Sequence, residues 1–447
     1  MKKILFLLIF PFSLSSQTSV SSLLELYMDK QAEFNRFGGT VIVMRNDSVL
    51  LKKAYGFANL EWGIKNTIDT KFVLASVTKH FTAIAIMQLV EKNNLSLDDK
   101  LNKFFPRYPK GDQVTIHMLL THTAGLPLDF DELYMNSTAI SKDSAIGIMQ
   151  YKPYLFNPGT NCKYSNIGYF LLSQIIEKAS GQTFENFIKE NICNKAGMFN
   201  TGVCSNDSII YKKASIYYKD GNGYALNPYI NWNLNVGLDG IYSTIEDLYK
   251  LDRALYSTTL LSESSKQKMT TQYNKMYPDN GFIDSYGYGI LINPYYNHGH
   301  YLLTHSGGFI GTMTTFDRYP KDNAFIAVLS NNESESHMIS YGLSGILFGI
   351  PVEIPYKHVE VKANTNMFES YAGKFESIEF IYTNNKLYLN DLNTELLPES
   401  ETRFFKKDNN DRTFEFVKDK KGAVSAVILT KGGVQEVKKK QALKTGK

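Results

Sequence analysis

Cysteine is scarce in this 447-residue chain: Cys162, Cys193 and Cys204 are all there is. None stands as Cys-x-x-Cys, which argues against a thiol-ligated zinc site. An odd count leaves two arrangements open: Cys193 pairs with Cys204 across a short loop and Cys162 is left over, or all three are buried thiols. An excess of one charge is also missing. The formal net charge is +4, and no basic stripe interleaves with aromatics, so nucleic acid is not an expected partner. Lysines gather at the extreme C-terminus (Lys438, Lys439, Lys440, Lys444, Lys447), where a solvated tail is expected. Three signatures are absent as well: the Gly-x-Ser-x-Gly nucleophile turn, His-Glu-x-x-His and a phosphate-binding glycine loop. The pair His298 and His300 has no carboxylate at ligand spacing. No metal and no cofactor is expected.

Long apolar runs are missing too. After Met1-Lys2-Lys3 comes one from Ile4 to Phe12, followed by Ser13-Leu14-Ser15-Ser16. It is shorter than the about 20 residues that span a bilayer, and it has the layout of a cleavable export signal over residues 1–16. No cysteine follows it, so no lipid anchor and no integral membrane anchor is expected. The reading is a periplasmic or secreted protein.

What is abundant is aromatic: 29 Tyr and 28 Phe, suited to many strands and an aromatic-lined cleft. Apolar spacing predicts a helix over 21–34, then a hairpin of Gly38–Arg45 and Ser48–Tyr55 around Asn46-Asp47. Helices are expected from Ser76 to near Asn93-Asn94, and over 114–127, 167–179, 184–192 and 245–255, with Ser243 or Thr244 capping the last. A strand pair is expected around Asp220–Gly223. From Tyr286 the pattern turns to strands, 286–292, 301–305, 312–319 and 324–330, and then to a last helix over 336–348. Strands at both ends with helices between predict an α+β domain over about 20–352, its antiparallel sheet joining both ends of the chain around an all-helical insertion. Short strands fill the remainder, about 360–447, and predict a small antiparallel all-β domain, a barrel or a sandwich. No internal repeat is present.

Chemistry concentrates in one stretch. Ser76 and Lys79 lie three residues apart, just under one helical turn, so both side chains share a face. A hydroxyl beside an amine is a nucleophile beside its base, and a helix N-terminus favours negative charge developing there. The pattern alone is weak, because Ser265 and Lys268 repeat it in a polar stretch. Two further elements give it context. Tyr164-Ser-Asn166 follows a Pro158-Gly159 loop and opens an apolar helix, whereas the other Tyr-x-Asn matches (Tyr134/Asn136, Tyr229/Asn231, Tyr295/Asn297, Tyr382/Asn384, Tyr388/Asn390) do not. His305-Ser-Gly307 is the sole His-x-Gly in the chain.

In that order the three elements resemble the penicillin-recognising serine hydrolases, and more closely the group of class C β-lactamases, D-Ala-D-Ala carboxypeptidases and esterases. That group carries Ser-x-x-Lys, Tyr-x-Asn and Lys/His-x-Gly. Leu119-Leu-Thr-His-Thr-Ala-Gly-Leu-Pro127 and Gly237-Leu-Asp-Gly-Ile-Tyr-Ser-Thr-Ile-Glu-Asp-Leu248 are similar to its Leu-Leu-Thr-His-Thr-Ser-Gly-Leu-Pro and Gly-Gly-Leu-Tyr-Ser-Thr-x-x-Asp-Leu. The resemblance covers about 20–349. It implies that Ser76 forms an acyl-enzyme, that Lys79 and Tyr164 share its proton, and that Asn166 donates to the substrate. It also implies an oxyanion hole from the backbone N–H groups of Ser76 and Gly308, close substrate approach at Gly307 and Gly308, and a substrate contact at His305. A neutral histidine where many β-lactamases have lysine holds a carboxylate weakly. His122 is expected to pack beneath the cleft. The expected substrate is a D-amino-acid peptide or amide, a small molecule or peptide. A small ester or a β-lactam is the alternative, and a slow-turnover penicillin-binding sensor or cell-wall-binding protein is a third reading. Oligomeric state is left open.

Overall fold

The computed structural model describes residues 19–129, 140–221, 223–227, 229–276, 284–294, 296–407 and 412–441. Residues 1–16, expected as an export signal, the Tyr134/Asn136 pair, Tyr295, the 409–411 turn, and Lys444 and Lys447 lie outside the described residues.

Helix α1 (Val20–Glu33) is capped by Ser19, whose side chain accepts the Ser22 N–H. The hairpin follows as β1 (Gly39–Arg45) and β2 (Ser48–Tyr55). Asn46 and Asp47 both take positive φ, 50° and 61°, as a two-residue turn matched to strand twist requires. Far along the chain come β3 (Asn274–Met276), β4 (Asp284–Tyr286), β5 (Leu291–Ile292), β6 (Leu303–Phe309), β7 (Thr312–Tyr319) and β8 (Ala324–Ser330). They form one antiparallel sheet with β1 and β2, in the order β3-β4-β5-β6-β7-β8-β1-β2. The two ends of the chain meet where β1 pairs β8, from Gly39 against Ser330 to Arg45 against Ala324.

Strand β8 is buried at every position, because both sheet faces are covered. On one face Ile42, Met44, Phe325, Ala327 and Leu329 join the core of the helical insertion. On the other, Val41, Val43, Ile326 and Val328 pack with Leu24, Tyr27 and Met28 of α1 and with Ile339 and Leu343 of α5 (Ser336–Leu347). The insertion is led by α2 (Thr78–Glu91), buried from Thr78 through Leu89, which packs on α4 (Asn166–Ser180). Ser165 caps α4, and Gly181 ends it at φ 71°.

Four expectations are adjusted. The helix expected from Ser76 to near Asn93-Asn94 begins as a 3₁₀ turn over Ala75–Val77, and α2 proper runs from Thr78 to Glu91. The helix expected over 114–127 shortens to α3 (Ile116–Leu120), because the chain turns at His122 with φ 58°. The segment 286–292 is two strands rather than one. Gly289 breaks it at φ 67°, in a place where a Cβ would lie 2.4 Å from the Lys79 carbonyl oxygen. The helix expected over 184–192 is α-helical only to Ile188 and continues as a π turn over Lys189–Cys193. All three cysteines are free thiols, with Cys193 and Cys204 buried.

After α5 the chain crosses to an eight-stranded meander running from Gly373–Phe375 to Val434–Lys439. A bridge between Phe375 and Lys440 ties the first strand to the residue after the last, which closes it as a barrel rather than a sandwich. Its core is aromatic: Phe368, Tyr371, Phe375, Phe380, Phe404, Phe414 and Phe416. It rests on the first domain through Tyr27, whose hydroxyl donates to Gly432 O at 3.0 Å, and on the connecting segment through Arg403 paired with Glu353 at 2.6 Å. No helix among the described residues is long and apolar enough to cross a membrane.

Candidate active site

Ser76 sits in the 3₁₀ turn between a strand and α2, in a backbone bent on purpose. Ala75 before it takes φ 47°, a region that costs an L-residue about 1–2 kcal/mol. The bend is held on three sides. Leu74 N–H donates to Ile241 O at 2.7 Å, Leu74 O accepts from Thr314 Oγ1 at 2.6 Å, and Val77 N–H closes back on Leu74 O at 3.3 Å. Thr314 lies on β7 opposite Gly307 on β6. At Gly307 a Cβ would meet Leu74 O at 2.2 Å and Thr314 Oγ1 at 2.4 Å, so only glycine lets β6 come this close to the Ser76 turn. Gly308 has no such constraint, since its nearest neighbour is Met313 Sδ at 3.5 Å.

Three residues after Ser76, at the second position of α2, Lys79 is fully buried. Its Nζ donates to Ser76 Oγ at 3.0 Å and to Leu238 O at 3.0 Å. The same ammonium lies 5.0 Å from the centre of the Tyr164 ring and 5.8 Å from that of Tyr169. Burial pulls the Lys79 amine down to about 8, against the opposing pull of Asp239 and Asp129. A large fraction is therefore neutral at mildly alkaline pH, as a proton acceptor must be.

Tyr164 and Asn166 are held by the segment before α4. His122 grips both sides of Tyr164: its carbonyl accepts Lys163 N–H at 3.0 Å, its Nδ1 accepts Ser165 N–H at 3.1 Å, and its ring lies 4.4 Å from the Tyr164 ring. Asn166 gives one Nδ2 hydrogen to Asp129 Oδ1 at 3.0 Å, while its Oδ1 is buried and without a hydrogen-bond partner among the described residues. The expected donor to substrate is thus partly engaged, and an acceptor is what stands open.

His305 is 4 % exposed and bonded at both nitrogens: Nδ1–H donates to Ser306 O at 2.7 Å, so Nε2 accepts the Tyr286 hydroxyl at 3.1 Å. Burial first, and Lys79 second, push its pKa to about 3. It is a neutral wall of the cleft.

Sequence reading missed Asp239, Asp129 and Tyr286. Asp239 is 5 % exposed and accepts the Ser76 hydroxyl at Oδ1, 3.1 Å away, with Lys79 Nζ at 3.7 Å. Burial raises its pKa, and Lys79 and Ser76 pull it back. The signal was in the chain: aligned on Tyr-Ser-Thr, Asp239 stands where the family pattern has the first glycine of Gly-Gly. Of the other candidates, the decoy Ser265 lies in a helix over Glu263–Met269, its N–H bonded to the Ser262 cap. His298 Nε2 bonds to Tyr341 O at 3.0 Å and His300 Nδ1 to Asp322 at 2.9 Å. No group of three His, Cys, Asp or Glu among the described residues is arranged to hold a metal.

Known proteins carry the same frame. Residues 23–340 match the Beta-lactamase family model. Penicillin-binding protein 4* of Bacillus subtilis is 30 % identical over 448 residues, covering 92 % of this chain and 97 % of its own. Teichoic acid D-alanine hydrolase of Staphylococcus aureus (strain MRSA252) is 26 % identical over 334 residues, covering 70 % of this chain and 77 % of its own. Among solved structures, the octameric penicillin-binding protein homologue from Pyrococcus abyssi superposes with a TM-score of 0.68 at 25 % identity, over 93 % of this chain and 99 % of that one. With a buried lysine bonded to a serine at the turn into α2, and with a family match over most of its length, this chain belongs to the β-lactamase family of serine hydrolases.

Proposed function

We propose that the protein is an exported hydrolase of D-amino-acid amides, peptides or related carboxylic acid derivatives, working through an acyl-enzyme on Ser76. The observation that carries this is the 3.0 Å bond between the Lys79 amine and Ser76 Oγ, in a pocket where burial weakens the amine's hold on its proton. Teichoic acid D-alanine hydrolase among the relatives supports the D-amino-acid class. Export rests on the first 16 residues.

The chemistry follows from the geometry. Neutral Lys79 takes the Ser76 proton as Oγ bonds to the substrate carbonyl carbon. The resulting oxyanion is met by the N–H groups of Ser76 and Gly308. The carbonyl's bond to the leaving nitrogen or oxygen then breaks, and that atom takes the proton back from Lys79, with Tyr164 beside the amine as relay. Water repeats the sequence, releases the acid and restores Ser76.

The test is a panel of D-amino-acid amides, D-peptides, small esters and a chromogenic cephalosporin, run with the wild type and Ser76→Ala. Turnover lost in Ser76→Ala, and a mass increase on Ser76 during turnover, are expected. Full activity in Ser76→Ala on the best substrate would refute the acyl-enzyme.

A further inference from the structure

The catalytic cleft holds more negative charge than its chemistry requires. Lys79 is its one cation among the residues placed there, and two carboxylates act on it, Asp239 and Asp129. His305 adds no positive charge and has no free N–H for a substrate carboxylate, since both ring nitrogens are bonded within the protein. Such a cleft repels a carboxylate and attracts a cation.

Asp239 is fixed and only partly satisfied. Its loop is pinned to α2 and to its own start: Thr82 Oγ1 donates to Gly237 O at 2.7 Å, Ile241 N–H to Thr78 Oγ1 at 3.1 Å, and Asp239 N–H to Asn235 O at 3.1 Å. Oδ1 takes the Ser76 hydroxyl, and Oδ2 accepts no hydrogen bond from any described residue. The side chain keeps 7 % exposure. That remaining exposure leaves Oδ2 open to a donor entering the cleft, where a hydrogen bond to a charged oxygen is among the stronger ones.

Bond lengths say what can. In an amino-acid amide or ester the α-nitrogen lies two bonds from the carbonyl carbon, about 2.5 Å away. The carbonyl carbon must come to about 3–3.5 Å from Ser76 Oγ for attack. A carboxylate whose Oδ1 is 3.1 Å from the same Oγ comes within hydrogen-bond reach of the α-nitrogen in a pose that turns that nitrogen toward Asp239. We propose that the site selects substrates with a free α-ammonium group, and that Asp239 receives that group. The proposal rests on the Ser76 acyl-enzyme reading above. It also gives the resting bond between Ser76 and Asp239 a purpose. The incoming ammonium replaces the Ser76 hydroxyl on Asp239, which turns the hydroxyl proton toward Lys79. Its positive charge also offsets Asp239, so Lys79 gives up its own proton more readily.

The experiment compares D-alanine p-nitroanilide with N-acetyl-D-alanine p-nitroanilide, using the full chain, Asp239→Asn and Asp239→Glu. The wild type is expected to favour the free amine in kcat/KM. Asp239→Asn is expected to lose about 10- to 100-fold more on the free amine than on the acetylated substrate, mainly in KM, the range of a charge-assisted bond. Activity on the acetylated substrate also reports that the variant is folded. Asp239→Glu should keep the preference. A wild type that favours the acetylated substrate overturns the proposal without any variant. Equal losses of kcat on both substrates overturn it too, and make Asp239 a partner of the base. If neither substrate is cleaved and no mass is added to Ser76, the acyl-enzyme reading for D-amino-acid derivatives fails, and this proposal with it.

Discussion

His122 and Ser165 are joined by a bond that runs against habit: a backbone N–H donates to a histidine Nδ1, at 3.1 Å, inside the protein. The bond fixes the tautomer, so the His122 proton is on Nε2. Burial and the charge on Lys79 keep the ring neutral. His122 is therefore a positioning residue for Tyr164. His122→Phe keeps the ring stack and deletes the acceptor. The expected result is a loss of about 1–3 kcal/mol in stability from the orphaned Ser165 N–H and a fall in kcat larger than the change in KM. Thermal unfolding beside steady-state kinetics checks it; an unchanged kcat with lowered stability would leave His122 a purely structural residue.

The Lys79 amine, drawn down to about 8, sets the pH profile. The base form is the neutral amine, so kcat/KM on an N-acylated substrate should rise with pH and level off above an inflection near 8. Asp239 is one of the charges holding that value up, so Asp239→Asn should move the inflection to lower pH. A profile flat from pH 6 to 9.5 would remove Lys79 as the base.

Neighbouring glycines should behave in opposite ways. Gly307→Ala puts a methyl 2.2 Å from Leu74 O and must push β6 off the Ser76 turn. Overpacking of this kind costs about 1–3 kcal/mol, and most of the activity should go with it. Gly308→Ala meets only Met313 Sδ at 3.5 Å and should keep near-wild-type stability. Melting temperatures of the two variants decide the point.

Acid should destabilise the fold before it protonates most carboxylates. His80 and His305 are held near 3, and His122 is well below its ordinary value, each chiefly by burial. Below pH 6.5 the unfolded chain binds protons that the folded chain refuses, so stability falls as pH falls. The slope is about 1.4 kcal/mol per pH unit for each such histidine. Asp317 works the other way: burial raises it to about 6, so its contribution is present at low pH and is lost as pH rises through that value. Burial raises Asp239 in the same sense, but it also lowers His117, His298 and His337, so six histidines oppose two carboxyls and melting temperature should still drop between pH 7 and pH 5. No drop over that range would mean that these rings are not neutral in the folded state.

Much of this was legible in the sequence. The hairpin 39–55 shows because Asn46-Asp47 tolerate positive φ between alternating strands, and the cap and glycine stop of α4 are local chemistry. The pairing of β1 with β8 follows from strands at both ends of one domain. What stayed hidden depends on contacts between distant segments. The break at Gly289 comes from the Lys79 carbonyl two hundred residues earlier in the chain, which no local pattern contains. Asp239 looked like one residue in a glycine loop, and only folding sets it against Ser76. The His122 clamp was hidden in the same way, since its partners are two donors after a different loop.

The position of β8 has a temporal side. Its neighbours in the sheet are β7 and β1, and β1 precedes Ser76 while β6, β7 and β8 arrive some 230 residues after it. The wall that carries Gly307 and His305 cannot form until residues up to about Ser330 are free to pair with Gly39–Arg45. Contacts of such separation form late. A chain still emerging from the ribosome holds Ser76 as an ordinary serine until the sheet shuts.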